Sequence, residues 1–287
     1  AGLDAVNIPH SPSLLPTGNN FTVETWVKPE NLTGTRYILA KSNNFIDFSY
    51  RFIINSLVPP FAIGFQIKNS SAIVGTAFTN TPLEVGKWYH LAGTWDGATI
   101  RFYINGVEVG NTPHSGTISN TVAPLHIAQG PGSNFAGDID EVRIWNATLN
   151  QTQIRDWMCR KIKNTHPQYT NLLSYYNFDE NFGTTLFDRR GTNNGTFVSS
   201  PTWVTSGAAI GDTSAFAFGT NPTVSLAAGE TFTVNNTTGF GANDGVFVYK
   251  VNDNPNVTTP PNNVTNLEYS NGYFGVFKAA PNAATYD

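Results

Sequence analysis

The segment from Gly86 to Gly110, GKWYHLAGTWDGATIRFYINGVEVG, leaves little freedom of fold. Ile100, Phe102 and Ile104 alternate with Thr99, Arg101 and Tyr103, the two-residue period of a strand with one buried face. Asn105-Gly106 follows at once, the pair best able to take positive φ at both central positions of a two-residue hairpin turn, and Val107-Glu108-Val109 returns from it. Asp96-Gly97 makes a second tight turn just upstream. Turns this short cannot carry a crossover, so three consecutive strands form an antiparallel meander.

The meander belongs to a longer ordered text. W-Y-H-L-A-G-T-W-D-G and I-N-G are followed by G-D-I-D-E-V-R-I-W-N at Gly137–Asn146, and preceded by GLDAVNIP at Gly2–Pro9 and FTVETWVKP at Phe21–Pro29. This series resembles the laminin G-like domains of the concanavalin A-like jelly-roll superfamily, related to pentraxins, in the form found as modules of large secreted bacterial proteins. The resemblance runs to about Trp157. It implies an all-β, concanavalin A-like jelly-roll sandwich, here with one short helix and followed by a small β-rich domain. It implies no single function, because this sandwich hosts lectins, adhesins, structural modules and glycosidases alike.

Residues 1–149 read as strands separated by Pro, Gly and Asn loops. One helix follows. Asn150 caps it, Gln153 completes a capping box, and Ile154, Trp157, Met158 and Ile162 form one apolar stripe, with Cys159 off it. The only basic cluster, Arg155, Arg160, Lys161 and Lys163, is assigned to that helix, where cations near the C-terminus complement the dipole. The text from Leu172, LLSYYNFDENFGTTLFDRRGTNNGT, is read as the last strands of the sandwich. GAAIGD at Gly207–Asp212 then marks a boundary, giving a laminin G-like sandwich over 1–206 and a small, incomplete β-rich domain over 207–287. Within the latter, Pro260-Pro261 blocks any central strand.

Charged residues make up only 13% of the chain, about half the ~25% usual for soluble domains, and Asn, Thr, Ser and Gly fill the deficit. Neutral polar surfaces of this kind suit extracellular β-proteins. A net charge of −4 argues against nucleic acid or an anionic membrane as partner, since both need a basic face. No apolar run reaches membrane-spanning length, so no membrane insertion is expected. One cysteine cannot make an internal disulfide, which suits a bacterial exported protein better than a eukaryotic secreted one.

Catalytic patterns are sought and not found. The glycosidases of this sandwich place three acids at alternating strand positions; here Asp138 and Asp140 share a face, but Ala136 and Val142 flank them and parity turns Glu141 away. The five histidines never fall at zinc-like spacing, and His90 is read as a structural histidine satisfied within its sheet. The chain is therefore read as no enzyme. In the resembled family a calcium ion often pins the first strand to the D-I-D-E strand, which maps onto Asp4 and Asp140; Ala5 departs from the pattern, where a second acid is common.

The function expected is non-catalytic recognition or adhesion by an extracellular or cell-surface module of a longer multidomain bacterial protein, with glycan or a surface protein as partner. A structural spacer in a filament, or an accessory carbohydrate-binding domain of a polysaccharide-degrading enzyme, are the alternatives. The polar loops Ser42–Phe48, Thr112–Thr121 and Gln129–Phe135 are the expected contact surface, with Phe45 and Phe135 as sugar-stacking candidates that leave the melt unchanged when removed. Folding of both rings back onto the sandwich rim is the competing outcome.

Overall fold

The computed structural model describes residues 4–55, 62–81, 83–227, 229–233, 240–252 and 272–279. Gly2 of the first motif and the Pro260-Pro261 pair lie outside the described residues. The first nine strands are β1 (Ala5–Ile8), β2 (Phe21–Asn31), β3 (Thr35–Ser42), β4 (Phe48–Asn55), β5 (Ala62–Lys68), β6 (Val74–Thr79), β7 (Tyr89–Trp95), β8 (Thr99–Ile104) and β9 (Val107–Pro113). Then come β10 (Leu125–Ile127), β11 (Gln129–Gly130), β12 (Ser133–Asn134), β13 (Ala136–Trp145) and the helix α1 (Gln151–Trp157). After it run β14 (Leu172–Tyr176), β15 (Thr185–Leu186), β16 (Gly195–Val198), β17 (Thr213–Phe218), β18 (Thr223–Ser225), β19 (Thr231–Thr233), β20 (Gly245–Val251) and β21 (Tyr273–Ala279).

Two antiparallel sheets face each other as a jelly-roll sandwich. One has eight strands in the order β15-β16-β1-β10-β3-β4-β5-β6, the other six in the order β14-β13-β2-β7-β8-β9. The meander is β7-β8-β9, with Ile104 opposite Val107 across the turn. Asn105 and Gly106 have φ of 51° and 74°, as a type I′ turn requires. Ile100, Phe102 and Ile104 are fully buried, and Phe102 meets Phe52 of the facing sheet with ring centroids 6.1 Å apart. Gly93 permits this close approach: a Cβ there would overlap the Phe65 ring. The strands after Leu172 complete both sheets, β14 pairing with β13 and β16 with β1.

The outer face of the six-stranded sheet is also covered, which simple alternation does not reveal. Tyr103, on the expected solvent side of β8, is buried with Ala92, Trp145, Ile154 and Tyr175 beneath α1. The Asn150–Gln153 capping box forms with both of its hydrogen bonds. The helix ends at Trp157, however, so Ile162 and the cations from Arg160 onward lie beyond it. Because the chain turns there, Cys159 joins the core rather than an exposed helix face. The basic residues serve as fasteners. Arg155 lies 3.7 Å over the Phe218 ring, Arg160 donates to the Ser214 backbone oxygen, and Lys163 reaches Asp212 at 3.4 Å.

Those contacts hold a three-stranded sheet, β17-β20-β21, against the sandwich. Phe277 of β21 meets Trp26 of β2 edge-on at 5.1 Å, and Phe247 and Ala279 share the sandwich's core cluster. The hairpin β18-β19 packs on the other side of β20 through Val224, Leu226, Val246 and Val248.

Candidate binding cleft

Where β1 begins and β13 begins, the two sheets part and leave a cavity of about 360 Å³. Its walls come from β1 (Val6), β13 (Ala136–Asp140), Trp88 before β7, Phe178 after β14, and the segment Pro201–Ser206 after β16. Asp4, Asp140 and Phe135, three of the four residues singled out from the sequence, line it together. The fourth does not. Phe45 is 60% exposed and its ring lies by Gly132, in the turn between β11 and β12.

Phe135 follows that same hairpin but is only 5% exposed and packs into the core cluster. The Gln129–Phe135 segment is thus a small hairpin on β3 rather than a free polar loop. Its tip meets Phe45, and at its base the chain sends Phe135 inward.

The acids of the cleft differ in surroundings. Asp4 is exposed, and its Oδ1 accepts from the Ser200 amide at 3.0 Å. Asp138 is held by Lys28 at 2.5 Å, and the Lys28 ammonium sits 5.7 Å from the Trp88 ring centroid. Asp140 is buried; it accepts from the Glu141 amide at 2.8 Å and lies 2.5 Å from the Ser206 hydroxyl. Burial, then the neighbouring Glu141 charge, push the Asp140 carboxyl up to about 7 against the opposing effect of those hydrogen bonds.

Parity fails at the next residue. β13 carries a bulge between Asp140 and Arg143, and Glu141 adopts φ 52°, in the left-handed region. The extra residue swings Glu141 under α1, where it binds Arg143 at 2.6 Å and the Tyr175 hydroxyl at 2.7 Å. The expected partner for His90 is also missing. The ring is fully buried edge-on to Trp26, both its nitrogens lack a hydrogen bond, and the nearest acid, Glu24, stands at 3.6 Å. Burial, then the Arg143 charge, hold the ring well below its ordinary pKa and neutral.

Calcium needs about six to eight oxygen ligands. Among the described residues no three acidic, histidine or cysteine side chains converge as a metal-holding group. Asp4 and Asp140 by themselves supply too few oxygens for such a shell, and both already accept hydrogen bonds, Asp4 from Ser200 and Asp140 from Glu141.

Sequence reading missed the aromatic half of the cleft. Trp203 stacks on Phe197 with ring centroids 5.0 Å apart and donates its Nε1–H to Gly183 at 3.0 Å. With Phe178 and Trp88 it gives the cavity several ring faces beside its carboxylates. The available signal was the run of aromatics at 178, 197 and 203, beyond the last recognisable motif.

Residues 1–155 match the family model described as the concanavalin A-like lectin/glucanases superfamily, of the laminin G type. The chain belongs to that superfamily. Among curated relatives of this concanavalin A-like chain, the adhesion G-protein coupled receptor V1 of Danio rerio is 24% identical over 163 residues, 54% of this chain and 3% of the receptor. The chain thus matches a small fraction of that relative's length. Among solved structures, a candidate carbohydrate-binding protein of Bacteroides ovatus superimposes with a TM-score of 0.55 at 18% identity, over 69% of this chain and 56% of that one. At that identity the likeness is one of fold. A heptameric SAP-like pentraxin of Limulus polyphemus gives 0.44 at 16%, over 67% of this chain and 94% of the pentraxin. Among the described residues no helix is long and apolar enough to cross a membrane.

Proposed function

We propose that this concanavalin A-like module is a non-catalytic glycan-recognition unit, carried by residues 1–206, of a longer exported bacterial surface protein. The observation that carries the proposal is the pairing, in one cavity, of the Trp88, Trp203 and Phe178 rings with the Asp4, Asp138 and Asp140 carboxylates. Sugars are met by that combination: ring faces take their C–H surfaces and planar acceptors take their hydroxyls. A binding role is supported over hydrolysis because Lys28 neutralises Asp138 while Asp140 is engaged by Ser206 and the Glu141 amide. The charge-poor surface and the small share of its relative that the chain covers support an extracellular, multidomain setting. A calcium ion held in part by Asp4 and Asp140 belongs to the same proposal, as does a clamping role for strands β17, β20 and β21 on the outer face.

The test is a glycan array probed with the wild type and with Trp203→Ala. Trp203 is partly exposed, so its removal should weaken binding at least tenfold while the melting temperature falls only slightly. An array on which the wild type binds nothing would hand the function to protein contact or to a spacer role, and equal binding by the variant would remove the cleft as the glycan site.

A further inference from the structure

At the other end of β1 lies a second groove of about 360 Å³, between the segment that carries Pro12–Asn19 and the Thr117–Val122 segment, with His10 in its lining. Behind it is Lys41 of β3, whose side chain is fully buried. Its ammonium donates to the Ala123 carbonyl at 2.6 Å and to Nδ1 of His10 at 3.1 Å. Both acceptors are neutral. The acid that influences it from farther off, Asp47, already accepts from Asn43 at 2.6 Å and from Thr121 at 2.7 Å. A buried ammonium without a contacting counter-ion is unfavourable, and proteins rarely retain one without use.

The donor at Lys41 settles the histidine. Nδ1 of His10 accepts, so the ring proton resides on Nε2. Burial, then the Lys41 charge, keep the ring below its ordinary pKa and neutral. The result is an imidazole polarised by a cation at Nδ1 and carrying its proton on Nε2, in a residue that lines the groove. Around it stand the Asn19 and Asn120 amides and the Thr17 hydroxyl, with Leu15 and Val122 supplying apolar surface.

We propose that this groove binds a sugar acid, a hexuronate residue whose carboxylate accepts from His10 Nε2–H and supplies the charge that Lys41 lacks. The amides and the hydroxyl then address the sugar hydroxyls, and Leu15 and Val122 the C–H face. This site shares no lining residue with the aromatic cleft and stands or falls independently of it.

The experiment is an NMR titration of isotopically labelled protein with digalacturonate, and in parallel with the neutral digalactoside. Digalacturonate should give saturable shifts of the His10 ring and of the Asn19 and Asn120 side-chain amides, with affinity at least tenfold above the neutral disaccharide. His10→Phe should lose at least tenfold with an unchanged melt, and His10→Gln, which keeps an N–H donor, should recover part of the loss. Lys41→Met should weaken binding similarly; if that variant does not fold, the two His10 variants decide. Shifts confined to Trp88 and Trp203, equal affinity for both disaccharides, or undiminished binding by His10→Phe would each overturn the proposal.

Discussion

Asp140 and Glu141 are adjacent, yet one faces the cleft with Ser206 and the other lies sealed beneath α1 with Arg143 and Tyr175. The two regions handle buried charge in opposite ways. Under the helix, Arg143 donates to Glu141, to the Trp157 carbonyl at 3.0 Å and to the Arg160 carbonyl at 2.7 Å, while Glu24 accepts from Trp145 at 2.8 Å. That network is buried, and it binds the helix segment to the sheet. In the cleft the acids border open volume and share it with aromatic rings. Burial of a charge is therefore no mark of a site by itself; a cavity beside it is.

The largest expected effect tests this division. Arg143→Met leaves Glu141 and Glu24 without their cation and should destabilise by about 3–5 kcal/mol, the range for breaking a buried pair. Asp138→Asn in the cleft removes a partly exposed pair and should change stability by no more than about 1 kcal/mol. Chemical denaturation of both variants measures the gap, and equal losses would erase the distinction. Phe135→Ala should cost about 3 kcal/mol or more, since its ring is part of the core. Phe45→Ala should stay within about 0.5 kcal/mol, as for an exposed site. The burial of Phe135 runs against the sequence expectation that neither ring matters to the melt.

Gly106→Val should destabilise by roughly 1–3 kcal/mol, through strain at positive φ. A Cβ there would also stand 2.8 Å from Arg155 Cγ. Calcium gives a smaller and conditional effect. If the ion binds at Asp4 and Asp140 it stabilises only the folded state, so chelation should lower the melting temperature by several degrees and Asp140→Ala should abolish the response. Identical melts with and without chelator would remove calcium from the cleft.

A separate effect, spread over pH, is a stability slope on the helix side. Burial, then the Arg143 charge, bring His166 down from 6.5 to about 4. The unfolded chain binds that proton first as pH falls, so stability at this residue is present above 6.5 and is lost progressively toward about 4. Urea midpoints across that window should fall less steeply in His166→Phe than in the wild type. Parallel slopes would show that the ring titrates freely.

The hairpin at Asn105-Gly106, the inward set Ile100, Phe102 and Ile104, and the Asn150–Gln153 box were legible because each depends on residues a few positions apart. Turn chemistry, strand period and capping act at that range, and the spacing of the W-Y-H and D-I-D-E texts carried the superfamily with them. The reach of that reasoning ended where segments distant in sequence meet. Glu141 comes to lie under α1 with Arg143 and Tyr175 because one extra residue in β13 breaks the alternation that parity assumes. Cys159 is buried because the chain leaves the helix at Trp157 and packs against a sheet formed far downstream. The cleft joins Asp4, Asp140 and Trp203, and the second groove joins His10, Lys41 and Val122. The family resemblance paired Asp4 with Asp140, but nothing local to Trp203, His10 or Lys41 predicts its neighbours, since their meeting is set by how the two sheets stack and where their ends part.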